Sequence, residues 1–175
     1  KDRIALGQIA REAVGQTVLG NIPEEPALQA SGLRCKRGAF VTLRSQHKLR
    51  GCIGDIRGNE LLGITIQKMT IAAASQDPRF PPLSEAELSD LEIELSVLSP
   101  MQRVTAPFEI EIGRDGLWIR RGIDQGLLLP QVALEQGWDR TEFLTHTCLK
   151  AQLPPTAWQH PDTEIWAFSA EVFSA

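Results

Sequence analysis

The sequence predicts an α+β protein, with mostly antiparallel sheets flanked by helices. Three observations carry this expectation: apolar residues at helical spacing in several stretches, short alternating runs joined by turn residues, and no regular β-α-β alternation of the kind that builds a parallel sheet. A chain of 175 residues can bury a sizeable core, so we expect one domain over residues 1–175, with room for two lobes.

Leu6, Ile9, Ala10, Ala13 and Val14 recur at helical spacing, and Gly20 follows where a left-handed C-terminal cap belongs. Residues 21–38 carry Pro23, Pro26 and Gly32 without a sustained period and read as a loop. Ala39–Leu43 and Leu49–Ile53 flank Ser45-Gln46-His47 and predict a hairpin. Asn59 is placed to cap a second helix, marked by Leu62, Ile66, Met69 and Ala73. That helix ends before Asp77-Pro78, because a proline ring disfavours helical geometry in the residue before it. Ser84 and Glu87 have capping-box spacing and start a short helix, after which Leu91, Ile93, Leu95 and Val97 alternate as a strand. Ile110 and Ile112, then Leu117 and Ile119, predict a hairpin around Gly113-Arg114-Asp115-Gly116. Leu127–Leu129 reads as a strand. Two helices follow, Gln131–Gln136 and Thr141–Gln152, separated by Gly137, with Asp139 and Glu142 as a second capping box. Trp166, Phe168, Ala170 and Val172 alternate as one final strand.

Hydrophobic residues make up 42% and charged residues 23%, the composition of a folding chain and not of a disordered one. No apolar run approaches the ~20 residues that span a bilayer, and Lys1-Asp2-Arg3-Ile4 lacks the apolar core of a signal peptide, so we expect a soluble, cytoplasmic protein. Cys35, Cys52 and Cys148 are odd in number and fit no CxxC or CxxxCxxC spacing. The expectation is free thiols, without a disulfide framework, a metal site or an iron–sulfur cluster. A P-loop and a GxGxxG motif are also missing, so no cofactor is expected. A net charge of −4 argues against nucleic acid as a partner. Locally, however, Arg34, Lys36, Arg37, Arg44, Lys48 and Arg50 occur with no acid among them, and Glu85, Glu87, Asp90, Glu92 and Glu94 crowd a later segment. These are either two solvated surfaces of opposite sign, or a basic wall that attracts an anionic ligand.

Three stretches are more specific. Gly38–Leu43 leads into Leu49-Arg50-Gly51-Cys52-Ile53-Gly54; Asp77-Pro78-Arg79-Phe80-Pro81-Pro82-Leu83 leads into Ile93–Pro100; Gly126–Ala133 leads into Glu135-Gln136-Gly137-Trp138-Asp139. In order and spacing the chain resembles the AMMECR domain family, whose hallmark is the hexapeptide at Leu49–Gly54, and within it the prokaryotic branch typified by AmmeMemoRadiSam system protein A. The resemblance runs to Phe173. It implies two α/β lobes around antiparallel sheets with a cleft near the hexapeptide, and partners of the Memo-like and radical-SAM kinds, but no settled reaction.

Read as a strand, the hexapeptide puts Arg50, Cys52 and Gly54 on one face, with Arg50 and Cys52 about 6.6–7 Å apart. A permanent cation at that range favours thiolate over thiol, the state a nucleophile needs, which makes Cys52 a candidate nucleophile and Arg50 its stabiliser or an anion clamp. Gly51 and Gly54 would let a ligand approach the backbone, and Arg44 and Lys48 would help hold an anion. The other reading makes Cys52 a small buried hydrophobe, the glycines packing devices, and Arg50 the partner of a carboxylate. Asp77 and Arg79, on a loop stiffened by three prolines, either face a ligand or pair with each other. Two functions follow: a cysteine-dependent enzyme or enzyme subunit, or a noncatalytic adaptor or anionic-ligand-binding module.

Overall fold

The computed structural model describes residues 2–175, which form two compact units. One comprises the chain up to Leu98 together with Glu171–Ala175; the other is Ser99–Ala170. Each has its own four-stranded sheet and its own apolar core, so the α+β expectation holds twice over.

The N-terminal unit begins with helix α1 (Asp2–Val18), which buries Leu6, Ile9, Ala10, Ala13 and Val14 as its period requires. Gly20 ends it at φ 76°. Strands β1 (Ala39–Ser45) and β2 (Lys48–Asp55) form the expected hairpin, closed by Gln46 and His47, both at positive φ. Helix α2 (Leu62–Ser75) does not use Asn59 as a cap. Its first amide, Leu62 N–H, donates instead to the Cys35 carbonyl, so a tertiary contact replaces the local one. The Ser84–Glu87 box starts a 3₁₀ turn at Glu85–Asp90, which leads into β3 (Leu91–Leu98). The sheet order is β2-β1-β3-β8, where β8 is Ala170–Ser174. Val41, Leu43, Ile93 and Leu95 pack with α1 and α2 into one core.

In the C-terminal unit β4 (Gln102–Arg103), β5 (Gly116–Arg121), β6 (Asp124–Leu128) and β7 (Glu164–Phe168) pair antiparallel in the order β4-β7-β5-β6. Two expectations are corrected here. Ile110 and Ile112 form no strand: Pro107 opens a 3₁₀ turn, and the buried Asp115 carboxylate accepts the Glu111 amide at 2.8 Å and pins the segment as a loop. The β5 hairpin therefore turns at Gly122 (φ 62°), not at Gly113–Gly116. The final strand, expected as one, is two strands in different sheets. It breaks at Ser169, whose N–H and carbonyl are both taken by Ser99. Helices α3 (Pro130–Gln136) and α4 (Arg140–Lys150) lie close to their expected bounds, with Gly137 left-handed at φ 67° and the Asp139–Glu142 box formed in both directions. No helix among the described residues is long and apolar enough to cross a membrane.

Candidate functional site

The hexapeptide lies on β2, an edge strand, which leaves alternate backbone groups without a strand neighbour. At Cys52 that edge is closed by side chains. The Asp77 carboxylate accepts the Cys52 N–H at 2.9 Å, and Arg79 Nη2 donates to the Cys52 carbonyl at 3.1 Å. The two side chains also pair with each other, Arg79 Nη2 to Asp77 Oδ2 at 2.7 Å and Nε to Oδ1 at 2.9 Å. Asp77 thus takes the donor role's complement that a neighbouring strand would supply, and Arg79 the other. Of the two expectations for this loop, the structure displays the internal ion pair. The Arg79 guanidinium holds the buried Asp77 carboxyl far below the usual carboxylate range; burial opposes the shift and the Cys52 amide reinforces it. Pairing with Asp77 raises Arg79 in turn.

Arg50 occupies a β-bulge. The register runs Leu43↔Gly51 and then Arg44↔Leu49, so Arg50 faces no residue of β1 and the strict alternation expected around it is interrupted. Its guanidinium is directed to Glu87, with Nε to Oε1 at 2.6 Å and Nη2 to Oε2 at 3.2 Å, and to the carbonyls of Pro81 and Pro82 at 2.8 and 3.2 Å. Only 14% of the side chain is exposed. Glu87 also accepts from the Ser84 amide and hydroxyl, and the fork with Arg50 holds its carboxyl down at about 2. Phe80 lies beneath both cations, its ring centroid 6.0 Å from Arg50 and 5.5 Å from Arg79. The expected roles of Arg50 as thiolate stabiliser or anion clamp therefore meet a guanidinium already committed to a carboxylate and two carbonyls.

Gly51 and Gly54, expected to open the backbone to a ligand, admit parts of this chain instead. A Cβ on Gly51 would stand 2.3 Å from the Ala73 carbonyl oxygen, and one on Gly54 2.2 Å from the Phe40 ring. Cys52 is half-buried, with its Sγ 3.3 Å from the Thr42 hydroxyl on the paired strand. Arg44 lines a concavity of about 360 Å³ with Arg11, Glu92 and Glu94, and Lys48 is exposed; neither forms an ion pair among the described residues. The basic and acidic runs are brought side by side, since Arg44 pairs across the ladder with Glu92.

Each histidine has a partner of its own. His47 pairs with Glu92 at 2.7 Å, His146 stacks on Trp138 at 3.8 Å, and His160 lies 3.6 Å from Asp162. Among the described residues no group of three His, Cys, Asp or Glu side chains is placed to hold a metal ion. Glu87 and Thr42 were not singled out as site residues from sequence. The capping-box spacing of Glu87 explains its local bonds only, and nothing local signals its reach back to Arg50.

A protein from Thermococcus onnurineus is 47% identical over 96% of this chain and 87% of its own length. Protein MK0488 of Methanopyrus kandleri is 46% identical over 96% and 86%. In shape, the chain matches the crystal structure of the uncharacterized protein PH0010 from Pyrococcus horikoshii with a TM-score of 0.87, at 40% identity over 97% of this chain and 89% of that one. The AMMECR1 family model matches residues 7–173, and with the hexapeptide and its Asp77–Arg79 clamp in place, the chain belongs to the AMMECR1 family.

Proposed function

We propose that this chain works as a noncatalytic adaptor for partner proteins, which the family resemblance expects to be of the Memo-like and radical-SAM kinds. The observation that supports it best is the commitment of Arg50: a bidentate pair with Glu87 and two loop carbonyls leave its guanidinium no free fork for a substrate. On this reading Leu49–Gly54 and Asp77–Leu83 are a structural joint. The hexapeptide supplies an edge strand, and the loop caps it. Radical chemistry would reside in another chain, because this sequence has no cysteine spacing for a cluster.

One observation favours the second reading, a cysteine-dependent enzyme: Cys52 is only partly buried, and its thiol lies 3.3 Å from the Thr42 hydroxyl, a group able to donate to a thiolate. Metabolite profiling separates the two. A strain lacking the gene is complemented with the wild type or with Cys52→Ala. Restoration of the wild-type profile by Cys52→Ala is the expected result; a profile that stays at that of the deletion, with the variant folded and expressed, favours the enzyme. Co-purification of the complementing protein with its partners supplies the direct readout of the adaptor role.

A further inference from the structure

In the N-terminal unit, α1 and the loop that follows it enclose a groove of about 420 Å³. Its lining is mixed, with apolar residues such as Ile9, Ile22 and Pro26 beside polar ones such as Gln16 and Gln67. The charged residues on its lining are Glu12, Glu24 and Glu25, with no cation among them. Ile22 is 93% exposed at its mouth. We propose that this groove docks a segment of a partner protein, an extended or helical stretch in which an apolar side chain is flanked by lysine or arginine.

Four features carry the argument. A branched aliphatic side chain left almost wholly in water gains nothing for this fold, and a partner that covers it would gain from its burial. The loop is stiff: Pro23 and Pro26 fix two backbone angles, and Gln67 Nε2 donates to the Glu24 carbonyl, tying the loop to α2. The backbone that carries Ile22 is thus restrained before any partner arrives, which lowers the ordering cost of binding. The three carboxylates set the sign of the partner. They favour lysine and arginine and repel phosphate, so nucleic acid and anionic lipid are poor occupants. Finally, the carboxylates disfavour a small anionic ligand, while the apolar part of the lining accepts one apolar anchor.

The proposal rests on the adaptor reading and names one surface for it. Its test uses purified protein and no cellular partner, so its failure is distinct from failure of the complementation experiment. The probe is a fluorescent twelve-residue peptide carrying a central Leu-Leu pair flanked by lysines, with a glutamate-flanked copy as control, and binding is followed by anisotropy at low and high salt. We expect saturable one-to-one binding of the basic peptide that weakens as salt rises, no binding of the acidic copy, and a loss of at least tenfold in affinity for both Ile22→Ser and the pair Glu24→Lys, Glu25→Lys. All three positions are exposed, so the variants should keep the wild-type circular dichroism and thermal midpoint. Absence of saturable binding, or affinity unchanged in both variants, overturns the proposal. Affinity that falls with the charge reversal but is unchanged by Ile22→Ser also overturns it, because the peptide would then be held by unspecific charge.

Discussion

Replacing Asp77 with alanine removes the residue on which the edge of β2 depends, and the cost can be worked from its contacts. Asp77 is 4% exposed, and its carboxylate accepts from the Cys52 amide, the Arg79 amide and two guanidinium nitrogens of Arg79. A hydrogen bond to a charged group is worth about 1.5–3 kcal/mol. The guanidinium of Arg79 is 53% exposed and rehydrates when its partner goes, so the ion-pair share is discounted to the low end. Leaving the Cys52 amide without an acceptor adds about 1 kcal/mol, for a total near 3 kcal/mol out of the roughly 5–15 kcal/mol that hold a domain together. Urea unfolding followed by far-ultraviolet circular dichroism measures it. Trp118, Trp138, Trp158 and Trp166 all lie in the C-terminal unit, so tryptophan fluorescence reads that unit and not this one. Hydrogen exchange at the Cys52 amide is the local readout and should quicken sharply. Because the folded carboxyl titrates below its unfolded value near 3.9, its contribution is complete above about pH 4 and is lost as pH falls further; the gap between wild type and variant should close in acid. A loss under about 0.5 kcal/mol, with unchanged exchange at Cys52, would refute the reasoning.

Glu87 offers a second pH test. Its carboxyl is lowered from 4.5 to about 2, so the Arg50 pair contributes fully above about pH 5 and fades towards pH 2. The shift corresponds to about 3.4 kcal/mol at most, reduced to roughly 2 by partial exposure, and Glu87→Gln should lose that amount at neutral pH in a urea titration but little at pH 2. Gly51→Ala should cost several kcal/mol, on the order of 3, because its Cβ meets the backbone oxygen of Ala73, whereas Gly15→Ala, with open space around it in α1, should stabilise by about 0.5–1 kcal/mol; thermal melts of the two variants rank them. Iodoacetamide labelling followed by mass spectrometry should find Cys148 slowest, since it is fully buried and burial pushes its thiol up, and Cys52 faster than both Cys148 and Cys35, whose Sγ donates to the Gly32 carbonyl. Equal rates at the three sites would contradict the burial order.

Local chemistry made much of this fold legible in sequence. The apolar period of α1 named its buried face apart from Gly7, Gly20 marked a left-handed helix end and Gly137 the break between two helices, and the capping boxes at Ser84 and Asp139 formed where their spacing put them. Each signal acts within one turn or one strand, so the sequence carries it whole. What failed were features set by distant partners. Asn59 was displaced as a cap by the Cys35 carbonyl, Asp115 held residues 110–115 out of a hairpin, and Ser99 split one alternating run into strands of two sheets. The site shows the same division. Counting back from the Gln46-His47 turn without interruption sets Val41 opposite Cys52; the bulge at Arg50 shifts the ladder by one and puts Thr42 there instead. The motif residues and the family could therefore be read from the chain alone. Which face they present, that Arg50 is spent on Glu87, and that Asp77 and Arg79 grip the backbone of Cys52 were decided by contacts 25 to 37 residues apart, whose geometry no local pattern encodes.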